Sequence, residues 1–145
     1  FRVHEAPNLP LVRVNLDRLR DDFTNFIQDS ERHRSNGLFV LISCELADAD
    51  DLDRAGLDTA GSYLKIVYSD NGPGISEELK ERIFAPFYTT TGGSGLGLAI
   101  AQHSARVHRG KLIECGRLGE GVQFELYLPV VASDEKGKQG DESRD

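Results

Sequence analysis

The segment that most constrains the fold of this chain is the glycine-rich run 92–98, Gly-Gly-Ser-Gly-Leu-Gly-Leu, which directly precedes a helical pattern. Glycines before a helix leave free backbone N–H groups open to a ligand, and the helix dipole attracts an anion to the same place. A flexible linker is the other interpretation, but a linker has no reason to bury Leu96 and Leu98. No Gly-Lys-Ser or Gly-Lys-Thr is present, so the run is not a Walker loop. It predicts an anion site at the start of a helix over residues 95–109, which Gly110 ends in a left-handed conformation.

The other apolar segments predict one further long helix, a short helix and several strands. Apolar residues at helical spacing form one stripe in a helix that should begin at Asn15 or Asp17 and run to about His33. A short helix should start at Ser76 and end near Ile83. Segments rich in β-branched and aromatic residues predict the strands, which cover residues 10–14, 38–46, 62–69, 111–115 and 122–128.

The order of these elements predicts an α+β fold: a two-layer α/β sandwich in which a mixed sheet is covered on one face by helices. The last strand alternates apolar and polar residues, so its other face should be exposed to water. The acidic segment 47–61 should be a solvated loop between two strands. Residues 1–131 should form one domain, and the polar segment 132–145 should be a disordered tail.

Charge, hydropathy and cysteine usage limit the partners and the location that the sequence predicts. The formal net charge of −7 disfavours nucleic acid as a partner, because phosphate backbones bind basic surfaces. A nucleotide is not excluded, since backbone N–H groups and a metal ion can hold a few phosphates. No apolar run is long enough to cross a bilayer, so we expect no membrane contact by this domain. Cys44 and Cys115 lack the paired spacing of a zinc site, and they predict reduced thiols in a cytoplasmic protein.

A second glycine-containing segment, Asp-Asn-Gly-Pro-Gly-Ile at residues 70–75, directly follows a predicted strand. Asp70 can accept a hydrogen bond from an exocyclic amine such as that of adenine, and Gly72 and Gly74 let a ligand approach the backbone closely. A plain turn is the alternative, because Asn-Gly and Gly-Pro are common turn sequences.

Two further segments carry groups that could meet a nucleotide. On the first helix, a polar stripe lies beside the apolar one and contains Asn25, Asp29, Arg32 and His33. Asparagine and aspartate oxygens suit Mg²⁺, and arginine can contact phosphate; a solvated helix face is the alternative. The segment 81–91, Glu-Arg-Ile-Phe-Ala-Pro-Phe-Tyr-Thr-Thr-Thr, could hinge a mobile lid, although core packing of its two phenylalanines is the simpler interpretation.

In this order and spacing, the four segments resemble the motifs of the catalytic and ATP-binding domain of sensor histidine kinases. That family belongs to a superfamily with gyrase, the heat-shock chaperone ATPase and the mismatch-repair ATPase. Residues 19–33 are similar to its asparagine box, 70–74 to its first glycine box, 84–87 to its aromatic box and 93–98 to its second glycine box. The short lid is most similar to that of nitrogen-regulation sensor kinases.

The resemblance implies a Bergerat-type fold that binds ATP and Mg²⁺, with Asp70 at the adenine and Asn25 and Asp29 at the metal ion. The implied nucleotide contacts are Asn25, Asp29, Arg32, His33, Asp70, Gly72, Gly74, Ile75, Phe87, Thr89, Thr90, Thr91, Gly93, Ser94, Gly95, Leu96, Gly97 and Leu98. It also implies a protein-histidine kinase whose phosphoryl acceptor lies on a separate dimerisation domain, with a response regulator as further partner. The implied location is cytoplasmic, as the cytosolic part of a larger sensor.

Departures from the family pattern keep alternatives open. Asp29 stands where the family usually has its metal-binding asparagine, and Thr91 stands where short lids often carry lysine. A degenerate domain that docks to a partner without nucleotide is therefore one alternative. A gyrase-type hydrolase is disfavoured, because Asn25 stands where those enzymes have the glutamate that activates water. A serine-kinase anti-sigma factor is disfavoured by the complete first glycine box and aromatic box.

The histidines provide no phosphoryl acceptor in this chain. His4 is followed by Pro7 and Pro10, which prevent the long helix that an acceptor histidine needs, so His4 should lie in lead-in chain. His103 and His108 fall on the second long helix and should be surface or packing residues.

Overall fold

The computed structural model of the chain describes residues 1–34 and 36–132. The strands of this part of the chain are β1 (Arg2–Glu5), β2 (Val40–Leu46), β3 (Tyr63–Asp70), β4 (Lys111–Glu114) and β5 (Gln123–Pro129). The helices are α1 (Leu16–His33), α2 (Ala49–Ala55) and α3 (Gly97–Val107), with 3-10 turns at Glu77–Leu79 and Arg82–Phe84. The predicted tail, 132–145, lies outside the described residues except for Ala132.

The strands form one mixed sheet in the order β1-β2-β3-β5-β4. β1 runs parallel to β2, and the other neighbouring pairs are antiparallel. β3 lies between β2 and β5 and ends at Asp70, opposite Val40 of β2. The carboxylate of Asp70, the first residue of the first glycine box, therefore lies at one end of the sheet.

The two long helices, α1 and α3, pack together on one face of this sheet, as predicted. From α1, the ring of Phe26 stacks on that of Phe124 of β5, with 4.7 Å between centroids and 10° between planes. From α3, Ala101 and Ala105 are buried in the same core, and their small side chains allow a close approach. Burying a side chain the size of Phe26 contributes about 2 kcal/mol, so the apolar stripe of α1 fixes which helix face meets the sheet.

The short helix α2 shows that two predictions are wrong. Residues 47–61 do not form only a solvated loop, and the second face of the sheet is not fully exposed to water. Asp48 and Asp51 form a reciprocal capping box at its start, and Gly56 ends it in a left-handed conformation. Leu52 is buried against Tyr127 of β5, on the face opposite α1 and α3. The acidic composition suggested a loop, but those acids cap a helix whose apolar residues cover the sheet.

The prediction of an edge strand over residues 10–14 is wrong. The edge strands of the sheet are β1 and β4, and Val12 makes only an isolated antiparallel bridge with Val130. His4 therefore lies in a strand paired with Ser43, not in lead-in chain. The prolines at 7 and 10 remove backbone donors from the segment between β1 and α1, which explains why no ladder forms there.

Two helix predictions also need correction. The turn after α3 is left-handed at Arg109, with φ 59°, and not at Gly110. A Cβ atom at Gly110 would lie 1.9 Å from the carbonyl oxygen of Tyr127, so the glycine allows close contact with β5. The single short helix predicted from Ser76 to Ile83 is instead the two separate 3-10 turns.

Candidate functional site

A cleft of about 400 Å³ lies between α1, the end of β3 and the segment that leads into α3. Most of the residues implied by the family resemblance line it, and these are Asn25, Asp29, Arg32, His33, Asp70, Gly74, Ile75, Thr89, Thr90, Thr91, Ser94, Gly95, Gly97 and Leu98. Gly72, Phe87, Gly93 and Leu96 do not line the cleft. The fold thus gathers the four sequence segments around one cavity.

At one end of the cleft, the carboxylate of Asp70 is held by three hydrogen-bond donors. Its Oδ1 accepts from the backbone N–H of Gly72 at 2.9 Å and of Val122 at 3.0 Å. Its Oδ2 accepts from the hydroxyl of Ser30 on α1 at 2.6 Å. Each donor comes from a different element, so the carboxylate is oriented before any ligand arrives.

Sequence reasoning missed the two hydroxyls behind Asp70. Because Ser30 gives its proton to the carboxylate, Tyr68 must be the donor in the 2.7 Å contact between its hydroxyl and Ser30 Oγ. Burial raises the pKa of Tyr68 to about 12, so this hydroxyl keeps its proton at neutral pH. Ser30 follows Asp29 in the asparagine box, but nothing local indicates a partner 40 positions away.

Glycines near Asp70 are required by backbone packing as well as by ligand approach. Gly74 has φ 72°, and a Cβ atom there would lie 2.6 Å from the carbonyl oxygen of Arg117. Gly121 has φ 111°, and its Cβ would lie 1.9 Å from the carbonyl oxygen of Asp70. The turn between β4 and β5 therefore lies directly against the first glycine box.

At the other end of the cleft, the polar stripe of α1 forms contacts between partly exposed side chains. Asp29 Oδ1 lies 3.2 Å from Arg32 Nη1 in an ion pair. His33 Nδ1 donates to the carbonyl oxygen of Asp29 at 2.9 Å, so Nε2 is left to accept from the hydroxyl of Thr90 at 3.3 Å. Asn25 lies against the start of α3, where a Cβ at Gly97 would be 3.2 Å from its Cγ.

Asn25 and Asp29 fit a Mg²⁺ ion in their chemistry. They offer side-chain oxygens one helical turn apart on the wall of the cleft. Mg²⁺ is commonly held by one or two such groups together with substrate phosphates and water. Within residues 1–34 and 36–132, no three His, Cys, Asp or Glu side chains cluster as a metal site of protein ligands alone.

The segment between the aromatic box and α3, residues 88–94, is held at its base by backbone contacts. Phe87 N–H donates to the carbonyl oxygen of Gly95 at 2.8 Å, and both residues have positive φ. A Cβ at Gly95 would lie 2.4 Å from the carbonyl carbon of Phe87, so the second glycine box needs a glycine here. Phe84 is buried in the core, whereas Phe87 is 75% exposed, so the two phenylalanines differ in role.

The comparisons with known proteins agree with this geometry. Residues 14–132 match the family described as histidine kinase-, DNA gyrase B-, and HSP90-like ATPase. The chain belongs to this family. This membership confirms the resemblance that we inferred from the motifs. It also confirms the α+β sandwich that the resemblance implied.

Relatives within the family are sensor histidine kinases. The chain is 33% identical over 141 residues to the sensory histidine kinase/phosphatase NtrB of Rhizobium meliloti (strain 1021), covering 92% of the chain and 36% of NtrB. It is 29% identical over 121 residues to the histidine-protein kinase BaeS of Escherichia coli (strain K12), covering 79% of the chain and 23% of BaeS. The chain thus spans about a third or less of the length of these relatives.

Solved structures of histidine kinases share the fold. Full-length ShkA in complex with AMPPNP superposes with a TM-score of 0.70 at 26% identity, covering 91% of this chain and 26% of ShkA. The catalytic domain of the kinase ThkA, in a nucleotide-free form, gives 0.69 at 26% identity, covering 90% and 80%. In the described part of this family member, no helix has both the length and the apolar character needed to cross a bilayer.

Proposed function

We propose that this chain is the ATP-binding catalytic domain of a two-component sensor histidine kinase. In this proposal it binds Mg-ATP in the cleft and presents the γ-phosphoryl group to a histidine on a dimerisation domain outside the chain. The observation that carries the proposal is the Asp70 carboxylate, which three donors orient at one end of a cleft whose other end is the start of α3. One end suits a purine amine and the other suits phosphates.

The purine end recognises adenine by hydrogen bonding and shape. The carboxylate of Asp70 accepts from the exocyclic amine, which guanine lacks at that position. The side chains of Ile75, Leu118 and Val122 line the cleft around it and offer apolar surface to the faces of the ring. A nucleotide with a carbonyl in place of the amine would leave Asp70 unpaired, which costs about 1–3 kcal/mol.

The phosphate end binds charge through backbone N–H groups at the start of α3, the hydroxyls of the lid, and the guanidinium of Arg32 and the imidazole of His33 on α1. Mg²⁺ held by Asn25 and Asp29 would neutralise charge on the triphosphate. Asp29 is paired with Arg32 in the structure, so a bound metal ion would compete with the guanidinium for this carboxylate.

The phosphoryl transfer breaks the bond between the γ-phosphorus and the oxygen that bridges it to the β-phosphorus, and ADP leaves. A phosphorus–nitrogen bond forms to the acceptor imidazole, and the imidazole proton goes to a base on the dimerisation domain. The chain supplies positioning and charge stabilisation. Hydrolysis is disfavoured, because the amide of Asn25 cannot accept a proton from water as a carboxylate would.

The partners and the location follow from the same proposal. The partners are the histidine-bearing dimerisation domain of the same protein and a response regulator, and the domain acts in the cytoplasm. Support comes from the relatives, which are sensor histidine kinases of greater length.

A docking module without nucleotide is the second candidate. The observation in its favour is the ion pair between Asp29 and Arg32, which occupies the carboxylate proposed for the metal ion. Against it, the hydrogen bonds around Asp70 are complete and the cleft is large enough for a ligand. The two candidates differ in whether the chain binds adenine nucleotides.

Calorimetric titration with ATP, ADP and a non-hydrolysable ATP analogue, each with and without Mg²⁺, tests the proposal. We expect all three nucleotides to bind and Mg²⁺ to strengthen the binding of the triphosphates. No heat of binding from any of them would support the docking module instead.

Phosphorylation with radiolabelled ATP tests the location of the acceptor. The isolated chain should stay unlabelled, and addition of the dimerisation domain of the same protein should give acid-labile label on that domain. Acid-labile label on His4 of the isolated chain would contradict the assignment.

A further inference from the structure

The turn between β4 and β5, residues 115–122, forms the outer wall of the cleft beside Asp70; we call it the β4–β5 tip. Its residues Leu118 and Val122 line the cavity. The tip is docked on the first glycine box, where Gly119 N–H donates to the carbonyl oxygen of Pro73 at 2.7 Å. The position of this turn therefore determines the shape of the cleft at its purine end.

A buried ion pair holds the base of the β4–β5 tip. The carboxylate of Glu114, at the end of β4, is fully buried and is paired with the ammonium of Lys80, which is 13% exposed. Glu114 Oε1 also accepts from the backbone N–H of Gly116 at 2.8 Å and of Gln123 at 3.0 Å. Lys80 in turn donates to the carbonyl oxygen of Gly116 at 2.6 Å. One carboxylate thus ties together the two sides of the turn.

The same contacts continue to the carboxylate of Asp70. Gln123, whose N–H is bound by Glu114, directly follows Val122. Val122 N–H donates to Asp70 Oδ1 at 3.0 Å, and Val122 C=O accepts from Asp70 N–H at 3.2 Å. Glu114 therefore fixes the backbone one residue away from a donor that orients Asp70.

Stability alone gives no reason for charge at this position. A buried ion pair loses hydration, and apolar residues of similar volume are often equally stable in its place. An apolar side chain at position 114, however, cannot accept the N–H groups of Gly116 and Gln123. A polar acceptor at position 114 therefore supplies what an apolar residue cannot, which is the geometry of the turn.

We infer that Glu114, held by Lys80, is a positioning residue for adenine recognition. It sets the β4–β5 tip against the first glycine box and so fixes the wall formed by Leu118 and Val122 and the orientation of Asp70. The inference rests on the proposed function, because it assumes that the purine lies at this end of the cleft. It assigns no contact between Glu114 or Lys80 and the nucleotide.

Two double variants separate positioning from stability. Lys80→Met/Glu114→Gln and Lys80→Met/Glu114→Leu both remove the ion pair, and they differ in whether position 114 keeps an acceptor oxygen. Adenosine affinity, measured by calorimetry, should stay within about twofold of the parent in the Gln variant and fall about fivefold or more in the Leu variant, the effect of losing about 1 kcal/mol of hydrogen bonding. Thermal denaturation of both variants shows whether stability follows the same order.

Two further measurements make the comparison specific. Binding of inorganic triphosphate with Mg²⁺ probes the far end of the cleft and should be equal in the two double variants. Glu125→Gln alters another buried carboxylate of the same sheet, on the face covered by α2, where its partner is Arg54. This control should lower the thermal midpoint and leave adenosine affinity unchanged.

Amide hydrogen exchange provides a readout without any ligand. The N–H groups of Val122 and Gly72, which orient Asp70, should exchange about tenfold faster in the Leu variant than in the Gln variant. Equal exchange and equal adenosine affinity in the two variants would overturn the inference. If the parent chain binds neither adenosine nor ADP but the two double variants differ clearly in exchange, the proposed function is contradicted. The role of Glu114 in positioning Asp70 is then still supported.

Glu114→Gln alone keeps the experiment decisive if the Leu variant does not fold. This single variant retains the acceptor oxygen and the lysine, so its adenosine affinity should again lie within about twofold of the parent. A loss of about tenfold or more in the folded variant, with unchanged exchange at Val122, would show that the carboxylate does not act through the backbone and would overturn the inference.

Discussion

The two ends of the cleft are built differently. At the proposed purine end, Asp70 is bound by donors from α1, the first glycine box and the β4–β5 tip, and two of those donors are backbone N–H groups. At the phosphate end, the contacts join partly exposed side chains: Asp29 with Arg32, and His33 with Thr90 at 3.3 Å. The end at Asp70 is therefore formed before ligand binding, whereas the end at Asp29 has weak contacts that a ligand can replace.

The largest effect should come from Asp70→Asn. The substitution puts an amide where three donors and the adenine amine require acceptors, so ATP affinity should fall by about 1–3 kcal/mol. Calorimetric titration measures the loss, and Asp50→Asn on the exposed side of α2 is the matched control. If the Asp70 variant binds ATP as tightly as the parent, adenine does not lie at this end.

The lid segment 88–94 should respond to nucleotide far more than the purine end does. Its internal contacts are few and exposed, for example Thr91 N–H to Thr89 Oγ1 at 3.3 Å. Saturating ATP and Mg²⁺ should therefore slow amide exchange there about tenfold, with little change in β3. Equal protection of the lid with and without nucleotide would remove the contrast between the two ends.

Asp29→Asn should change the metal dependence of binding about fivefold. A negative charge beside the triphosphate is unfavourable, although exposure and the pairing with Arg32 reduce the cost to about 1 kcal/mol. Because bound Mg²⁺ offsets this charge, the variant should gain more affinity in chelator than in excess Mg²⁺. Asp17→Asn, at the exposed start of α1, serves as the control. Unchanged affinities in both conditions would show that Asp29 does not face the phosphates.

The smallest effect should come from Tyr68→Phe. Loss of the bond to Ser30 leaves Ser30 still bound to Asp70, so adenosine affinity should fall only about twofold while stability falls by about 1 kcal/mol. Urea denaturation and calorimetry measure the two quantities. A loss of adenosine affinity as large as that of Asp70→Asn would mean that Ser30 orients the carboxylate only when Tyr68 donates to it.

Much of the fold and the cleft follows from local sequence patterns. The side chain of Asn15 caps α1, and the apolar stripe of that helix packs on the sheet as its spacing predicts. The first glycine box follows β3, and the second leads into α3, so both motifs lie where their neighbours predict. Such features depend on residues a few positions apart, and local propensity therefore determines them.

Local patterns gave wrong predictions where a high content of charged residues was interpreted as exposure to solvent. The segment 47–61 contains helix α2, since Asp48 and Asp51 cap it and Leu52 is buried on Tyr127. Glu125 looks like a surface residue of an alternating strand, yet it is 1% exposed and paired with Arg54 from α2. Whether a polar strand face is wet depends on what packs over it, and periodicity alone does not contain that information.

The sequence by itself determined the four motifs, their order, the family and the residue that we propose recognises adenine, Asp70. Only the tertiary structure decided how that residue is held, because its donors Ser30 and Val122 lie 40 and 52 positions from it. Glu114 likewise precedes a turn whose sequence carries no motif. Its proposed positioning role becomes visible only in the structure, where its carboxylate is buried against Lys80, 34 positions away. Hydrogen bonds over such separations depend on how the layers pack, whereas motifs depend on what neighbouring residues can do.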